Sequence, residues 1–266
     1  MTSDRGYEDL YETFDSALAR QIRREAYGED FGQHSWATAD EVRECIPRLR
    51  LSPTTRILDI GCGPAGPLTF IVGAVGCRGL GLDVSAAAIE AGSSRVSELG
   101  LDRLITLLTA DSNEPIPFGI DSFEAVISVD VVLHLHDRSR LFREVARVLG
   151  AGGRFWFTDA GILTGPVSVE EAALRSPHGY TQLAPAGFND RALEAEGFRI
   201  LSVDDRTADL LANATGRLAA RIAHREEMVT LDGADNFERQ KQYLETVIAL
   251  ARRGAMSRFA YLAEPT

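Results

Sequence analysis

The sequence predicts a doubly wound α/β protein, and three observations carry that prediction. Residues 56–60, Arg-Ile-Leu-Asp-Ile, form the short apolar run of a buried parallel strand and break into the turn Gly61-Cys62-Gly63-Pro64-Ala65-Gly66-Pro67. The next segment places Leu68, Ile71, Val72 and Val75 on one helical face. Strand and helix patterns then keep alternating, as a sheet with helices on both faces requires.

Leu80-Gly81-Leu82-Asp83 closes the second strand, Ser85 can cap the helix that follows, and Gly100 can end it. Residues 104–108 read as a third strand running into Thr109-Ala110-Asp111-Ser112. After the stiff Pro115-Ile116-Pro117-Phe118 connection, residues 123–129 make a fourth strand. It leads through Ser128-Val129-Asp130 to His134, His136 and Asp137. Asp137 can cap a helix whose Leu141, Phe142, Val145, Val148 and Leu149 share a face, with Gly150, Gly152 and Gly153 as its terminators. Residues 154–158 form the fifth strand, ending at Asp159.

Residues 160–185, with Pro166, Pro177, His178, Tyr180 and Pro185, read as an insertion of the kind that carries specificity. A helix over 189–196 stops at Gly197, and 198–203 is the sixth strand. Two helices follow, one with Leu211, Ala214, Leu218 and Ile222 on a face, the other with Phe237, Leu244, Val247, Ile248 and Ala251. Residues 257–263 read as a final strand.

Residues 1–50 stand before the first strand. Tyr7, Leu10, Tyr11, Phe14 and Leu18 follow helical spacing, and a charged helix continues to about Tyr27. Residues 27–36 form a glycine-punctuated aromatic loop, and a second helix spans about 38–49. This segment is expected to be a helical lid over a ligand site, or alternatively an amphipathic cap that completes the core. The expected organisation is a cap over 1–50 and a core over 51–266, with insertions near 160–185 and 205–254.

The chain has 266 residues, 45% hydrophobic and 25% charged, the composition of an ordinary globular protein. A formal net charge of −11 argues against a nucleic-acid partner, which needs a basic footprint. Cys45, Cys62 and Cys77 form no CxxC pair and no His/Cys cluster, so a reducing compartment and no metal site are expected. No stretch is long enough to span a bilayer, and a cytoplasmic location is the default expectation.

The strand, glycine turn and helix together make a nucleotide crevice, because glycines let the backbone approach a ligand and a helix N-terminus offers unpaired N–H groups. Asp83, with Val84 behind it, stands where an adenosine ribose would present its hydroxyls. Gly61, Gly63 and Gly66 also fit the dinucleotide pattern G-x-G-x-x-G, so a nicotinamide-dependent oxidoreductase is an alternative. Against it stand Asp59, at a position that pattern fills with an apolar residue, and the lack of a second substrate domain. A non-catalytic binding protein on the same fold is a third reading.

The ordered set resembles the class I S-adenosylmethionine-dependent methyltransferases, whose first motif reads acid-x-Gly-x-Gly-x-Gly. Here Asp59, Gly61 and Gly63 match, while Ala65 replaces the third glycine and Gly66 follows it. The likeness runs from about 56 to 159, and residues 147–155 resemble the family's strand-five motif. The aromatic loop, the His134 segment and the helical C-terminal part look like the small-molecule enzymes of the sarcosine/dimethylglycine and natural-product type. The resemblance implies a Rossmann-like sheet of seven strands with the last one antiparallel. It also implies S-adenosyl-L-methionine as cofactor, S-adenosyl-L-homocysteine as product, and a small-molecule acceptor methylated on nitrogen or oxygen, less readily on carbon.

The resemblance further implies that Asp111, with Ser112, meets the adenine amine and that the fourth-strand end, with Ser128, faces the methyl group. Asp59, Gly61, Gly63, Asp83 and Val84 complete the expected cofactor shell. Tyr11, Tyr27 and Trp36 are expected to place aromatic surface against the sulfonium. A hydroxyl acceptor needs a general base and a neutral amine does not. The available bases are His34, His134, His136, His178 and Asp130, with His134 and Asp130 the expected catalytic pair. The oligomeric state is not fixed by the sequence; a homodimer is compatible with it.

Overall fold

The computed structural model describes Tyr11, residues 13–177 and residues 179–266; Tyr7, Leu10 and His178, used above, lie outside them. The strands are β1 (Arg56–Ile60), β2 (Arg78–Asp83), β3 (Ile105–Thr109), β4 (Phe123–Val129), β5 (Leu149–Leu163), β6 (Ala184–Pro185), β7 (Phe198–Asp205) and β8 (Met256–Pro265). Their order is β3-β2-β1-β4-β5-β8-β7, with the two-residue β6 paired beside β5. All pairings are parallel except those of β8, which runs antiparallel to both β5 and β7. The predicted Rossmann-like sheet with its antiparallel last strand is therefore observed. The strand order reverses between β1 and β4, and the crevice beyond their C-terminal ends is where such sheets bind ligands.

Alternation along β1 sorts the core. Ile57 faces a layer with Val42, Cys45, Leu68, Ile71 and Val72, carried by helices α2 (Ala39–Arg48) and α3 (Gly66–Val75). Leu58 and Ile60 face the opposite layer with Leu141, Phe142 and Val145 of α5 (Arg138–Val148) and the stacked rings of Phe155 and Phe157, 4.8 Å apart. The helix α4 (Ala86–Glu98) starts as expected, with Ser85 Oγ accepting from the Ala88 N–H at 3.1 Å. Asp137 likewise accepts from the Arg140 N–H at 3.0 Å to open α5.

The structure refines several of these readings. Tyr11 is helical, but the helix α1 (Ala17–Tyr27) is not continuous with it: a turn at 13–16 intervenes, and Ser16 caps α1 through the Ala19 N–H. Gly150, Gly152 and Gly153 do not separate helix from strand; α5 passes directly into β5, and the glycines sit in its irregular first part. The insertion after β5 contains a short helix, α6 (Val169–Leu174), and β6. Three helices rather than two precede β8: α8 (Thr207–Ala223), α9 (Arg225–Asp232) and α10 (Ala234–Arg252); α7 (Phe188–Ala195) lies earlier, before β7. His224 and Gly233 punctuate the run with non-helical backbone. Ile222, expected on the buried face of α8, is 49% exposed.

The N-terminal and C-terminal helices pack together. Ile22 of α1 is buried with Ala220, Met228 and Phe237 of α8, α9 and α10. Trp36, Leu210, Ala214, Tyr243, Leu244 and Val247 form a second cluster that reaches Ala160 on β5. Phe31 inserts into the sheet-side core, 5.4 Å from the ring of Phe70. Among the described residues no helix is long and apolar enough to cross a membrane.

Candidate active site

The end of β1 sets the geometry of the site. Gly61 and Gly63 adopt φ of +69° and +53°, a region in which a Cβ is strained. A Cβ on Gly61 would also strike the Val131 side chain at 2.4 Å. Ala65 is left-handed too, at φ 58°, and precedes the first residue of α3. The residue that departs from the family's third glycine thus keeps the backbone conformation for which glycine is usual.

A cavity of about 830 Å³ opens over this turn, within the span of small-molecule sites. At its floor Asp59 is 1% exposed, and neither carboxylate oxygen has a hydrogen-bond partner. Burial, reinforced by the charge of Asp83, raises the Asp59 carboxyl to about 8. Asp83 itself ties the turn to the second strand: its Oδ2 accepts from the Gly63 N–H at 2.8 Å and its Oδ1 from the Ser85 N–H at 2.9 Å. Val84 forms the half-open rim, while Asp111, whose Oδ1 accepts from the Asn113 backbone and side chain, lies beside Ser112 further along the same wall.

The opposite wall comes from the helical cap. Tyr11 and Trp36 line the cavity, and a Cβ on Gly63 would lie 3.2 Å from the Tyr11 hydroxyl. Trp36 is held at both backbone polar groups, its N–H donating to Asp130 Oδ2 at 2.8 Å and its carbonyl accepting from Asn213 at 2.6 Å. His134 sits in a single 3-10 turn over Val132–His134 and points its Nδ1 at the Tyr180 carbonyl, 3.1 Å away. A carbonyl only accepts, so Nδ1 carries the proton and Nε2 the lone pair. Burial of the ring, backed by the charge of Arg175 and opposed by that hydrogen bond, lowers the imidazole to about 4. His134 is therefore neutral and only weakly basic near pH 7.

Eleven of the thirteen expected site residues line this one cavity: Asp59, Gly61, Gly63, Asp83, Val84, Asp111, Ser112, Asp130, His134, Tyr11 and Trp36. Two do not. Ser128 is fully buried on the other face of β4, where its hydroxyl donates to the Ile60 carbonyl at 3.0 Å. Tyr27 donates to the Ser35 carbonyl at 3.1 Å and borders a separate, smaller cavity between α1 and the helical cap. Asp130, expected as a base, lines the cavity with its carboxylate already engaged. Its carboxylate accepts from the Trp36 N–H, from Thr158 Oγ1 at 2.8 Å and from Arg258 Nε at 2.8 Å. Arg258 is fully buried and also pairs with Glu41 of α2 at 2.8 Å, so Asp130 links β8, α2 and the backbone of Trp36.

Sequence reasoning missed Arg175, Arg217 and Tyr243, which complete the cap-side wall. Arg175 follows α6, and the other two lie on α8 and α10. No local pattern connects them, and only the predicted insertions marked the segments that contain them.

Residues 58–157 match the family model described as a methyltransferase domain. The sarcosine/dimethylglycine N-methyltransferase of Halorhodospira halochloris is 30% identical over 226 residues, 82% of this chain and 80% of that protein. The chain belongs to the class I S-adenosylmethionine-dependent methyltransferases, and is an enzyme of that class. A glycine/sarcosine/dimethylglycine N-methyltransferase of Actinopolyspora halophila is 28% identical over 85% of this chain, which spans only 40% of that longer protein. Among solved structures, Haemonchus contortus phosphoethanolamine N-methyltransferase 2 in complex with S-adenosyl-L-methionine superposes with a TM-score of 0.82. That superposition has 20% identity over 100% of this chain and 61% of the other. The cofactor is thus S-adenosyl-L-methionine, and the nicotinamide alternative falls away.

Proposed function

We propose that this cavity transfers the cofactor's methyl group to a nitrogen or oxygen of a small-molecule acceptor. The observation that carries the reading is Asp59: a buried carboxylate with both oxygens unpartnered fits a cationic ligand group, and the cofactor's α-ammonium supplies one. Asp83, at the end of β2 and on the cavity wall, would take the ribose hydroxyls, with Val84 against the nucleoside and Asp111 and Ser112 toward the adenine edge. When bound, the cofactor supplies a methyl group already activated on a sulfonium. The chain's part is then to align the acceptor and exclude water.

Residues 1–50 serve this as a lid, with Tyr11 and Trp36 forming the wall nearest the transfer point. His134 is neutral and weakly basic, suited to hydrogen-bond an acceptor and poorly suited to deprotonate a hydroxyl. That favours nitrogen over oxygen, since a neutral amine needs no base. Two of the N-methyltransferases to which the chain is similar are named for amine acceptors, which agrees with that choice. Calorimetric titration with S-adenosylhomocysteine and with NAD tests the reading. Saturable binding of the first and none of the second is expected; the reverse would overturn it.

A further inference from the structure

Four arginines are buried among the described residues: Arg23, Arg138, Arg175 and Arg258. Three of them face carboxylates, Arg23 with Asp30 at 2.9 Å, Arg138 with Asp159 at 2.5 Å, and Arg258 with Glu41 and Asp130 at 2.8 Å each. Arg175 is the exception. It is 3% exposed, and its guanidinium donates only to the Tyr243 hydroxyl and the Ala160 carbonyl, both at 3.3 Å. Its Nε is buried with no partner at all. A guanidinium out of water without a counter-charge is strongly disfavoured, and this one borders the cavity.

A second cation lines the same cavity. The Arg175 guanidinium lies 5.3 Å from the Tyr243 ring centre, the Tyr243 and Trp36 ring centres are 6.0 Å apart, and the Arg217 guanidinium lies 4.9 Å from the Trp36 ring centre. Arg217 also borders the cavity, and no carboxylate among the described residues pairs with it. The cavity is thus polarised. Asp59, Asp83 and Asp111 line the glycine-turn end, while two arginines and two aromatic rings line the cap end. Cations suit the first end, and the second fits a small anion.

We propose that Arg175 and Arg217 form a subsite for an anionic group of the methyl acceptor, a carboxylate or a phosphate. Guanidinium forks match both groups through paired N–H···O bonds. Trp36 and Tyr243 would hold the acceptor's carbon frame between that anchor and the methyl donor. This rests on the reading of the cavity as the methyl-transfer site.

The test uses the full chain saturated with S-adenosylhomocysteine and titrated with acetate or inorganic phosphate at constant ionic strength, with chloride as the non-specific control. Wild type should bind acetate or phosphate saturably and chloride not at all, the tighter of the two naming the acceptor's anionic group. Arg175→Gln and Arg217→Gln should each weaken that binding at least tenfold while S-adenosylhomocysteine affinity stays within about twofold. Because Arg175 has no counter-charge, Arg175→Gln should melt no lower than wild type, and the half-exposed Arg217 provides an independent variant if it does. Normal S-adenosylhomocysteine binding with no anion preference, or with anion binding unchanged in both variants, would overturn the subsite alone. Failure of wild type to bind S-adenosylhomocysteine would instead overturn the reading of the cavity on which the subsite depends.

Discussion

Replacing Asp59 with asparagine should stabilise the cofactor-free protein at alkaline pH and cripple cofactor binding. Asp59 is held at about 8 against an ordinary 3.8, by burial first and by the Asp83 charge second. The folded protein therefore keeps this proton at pH values where the unfolded chain has lost it. Unfolding free energy falls as pH rises between those values, by about 1.4 kcal/mol per pH unit for one proton. Across the interval from 3.8 to about 8 the sum is roughly 6 kcal/mol. Water entering the open cavity and the amide's own unmet hydrogen bonds reduce the expected gain at pH 8 to about 2–4 kcal/mol. Urea unfolding at about pH 5.5 and about pH 8 reads it directly: wild type should lose stability between them, and the variant should lose much less. Affinity for S-adenosylhomocysteine should fall about 10- to 100-fold in the variant, the loss of one charge-assisted bond. The binding form of Asp59 is the anion, so wild-type affinity should rise with pH up to about 8 as the proton is released, and this rise should vanish in the variant. Parallel pH slopes for the two proteins would refute the buried protonated carboxyl.

Three other outcomes are expected. Gly63→Val, at φ +53° beneath the Tyr11 hydroxyl, should abolish S-adenosylhomocysteine binding while the circular dichroism spectrum stays native; normal affinity would place the cofactor elsewhere. Asp130→Asn removes a charge from the buried pair with Arg258 and should lower stability by about 3 kcal/mol in urea. In that variant methyl transfer should fall more than S-adenosylhomocysteine affinity, because Trp36 loses its anchor; equal losses would argue against a positioning role. The rate of methyl transfer should show no His134 ionisation between about pH 6 and pH 9, since its imidazole titrates near 4 and is already neutral; a titration near 6.5 that disappears in His134→Ala would contradict that.

Much of the sheet was legible because each core strand is short, apolar and bounded by a turn signal, and because Ser85 and Asp137 announce their helices in the residues themselves. Asp59, Gly61, Gly63 and Asp83 were legible for a related reason: ligand and turn geometry demand those residue types at fixed offsets from a strand end. What failed depended on side-chain direction or on contacts distant in sequence. Ser128 shares the face of β4 used by Val126, so period-two alternation turns it from the cavity. Asp130 looks like a base until Arg258, 128 residues later, arrives beside it. Tyr27 is separated from the cavity by the packing of α1 on the C-terminal helices, a contact between the two ends of the chain. That packing also ties the described segment 13–50 to the rest of the fold, since Ile22, Phe31 and Trp36 are core residues. Arg175 after α6, Arg217 on α8 and Tyr243 on α10 reach one cavity only through packing between segments distant in sequence.

The most direct test is a crystal structure of the chain with S-adenosylhomocysteine. The ligand should lie over the Gly61–Gly63 turn, its ammonium within hydrogen-bond distance of Asp59 and both ribose hydroxyls on Asp83, with its sulfur turned toward Trp36 and His134. A ligand bound outside this cavity, or an Asp59 carboxylate that still meets no donor when the ligand is present, would contradict the proposed methyl-transfer site.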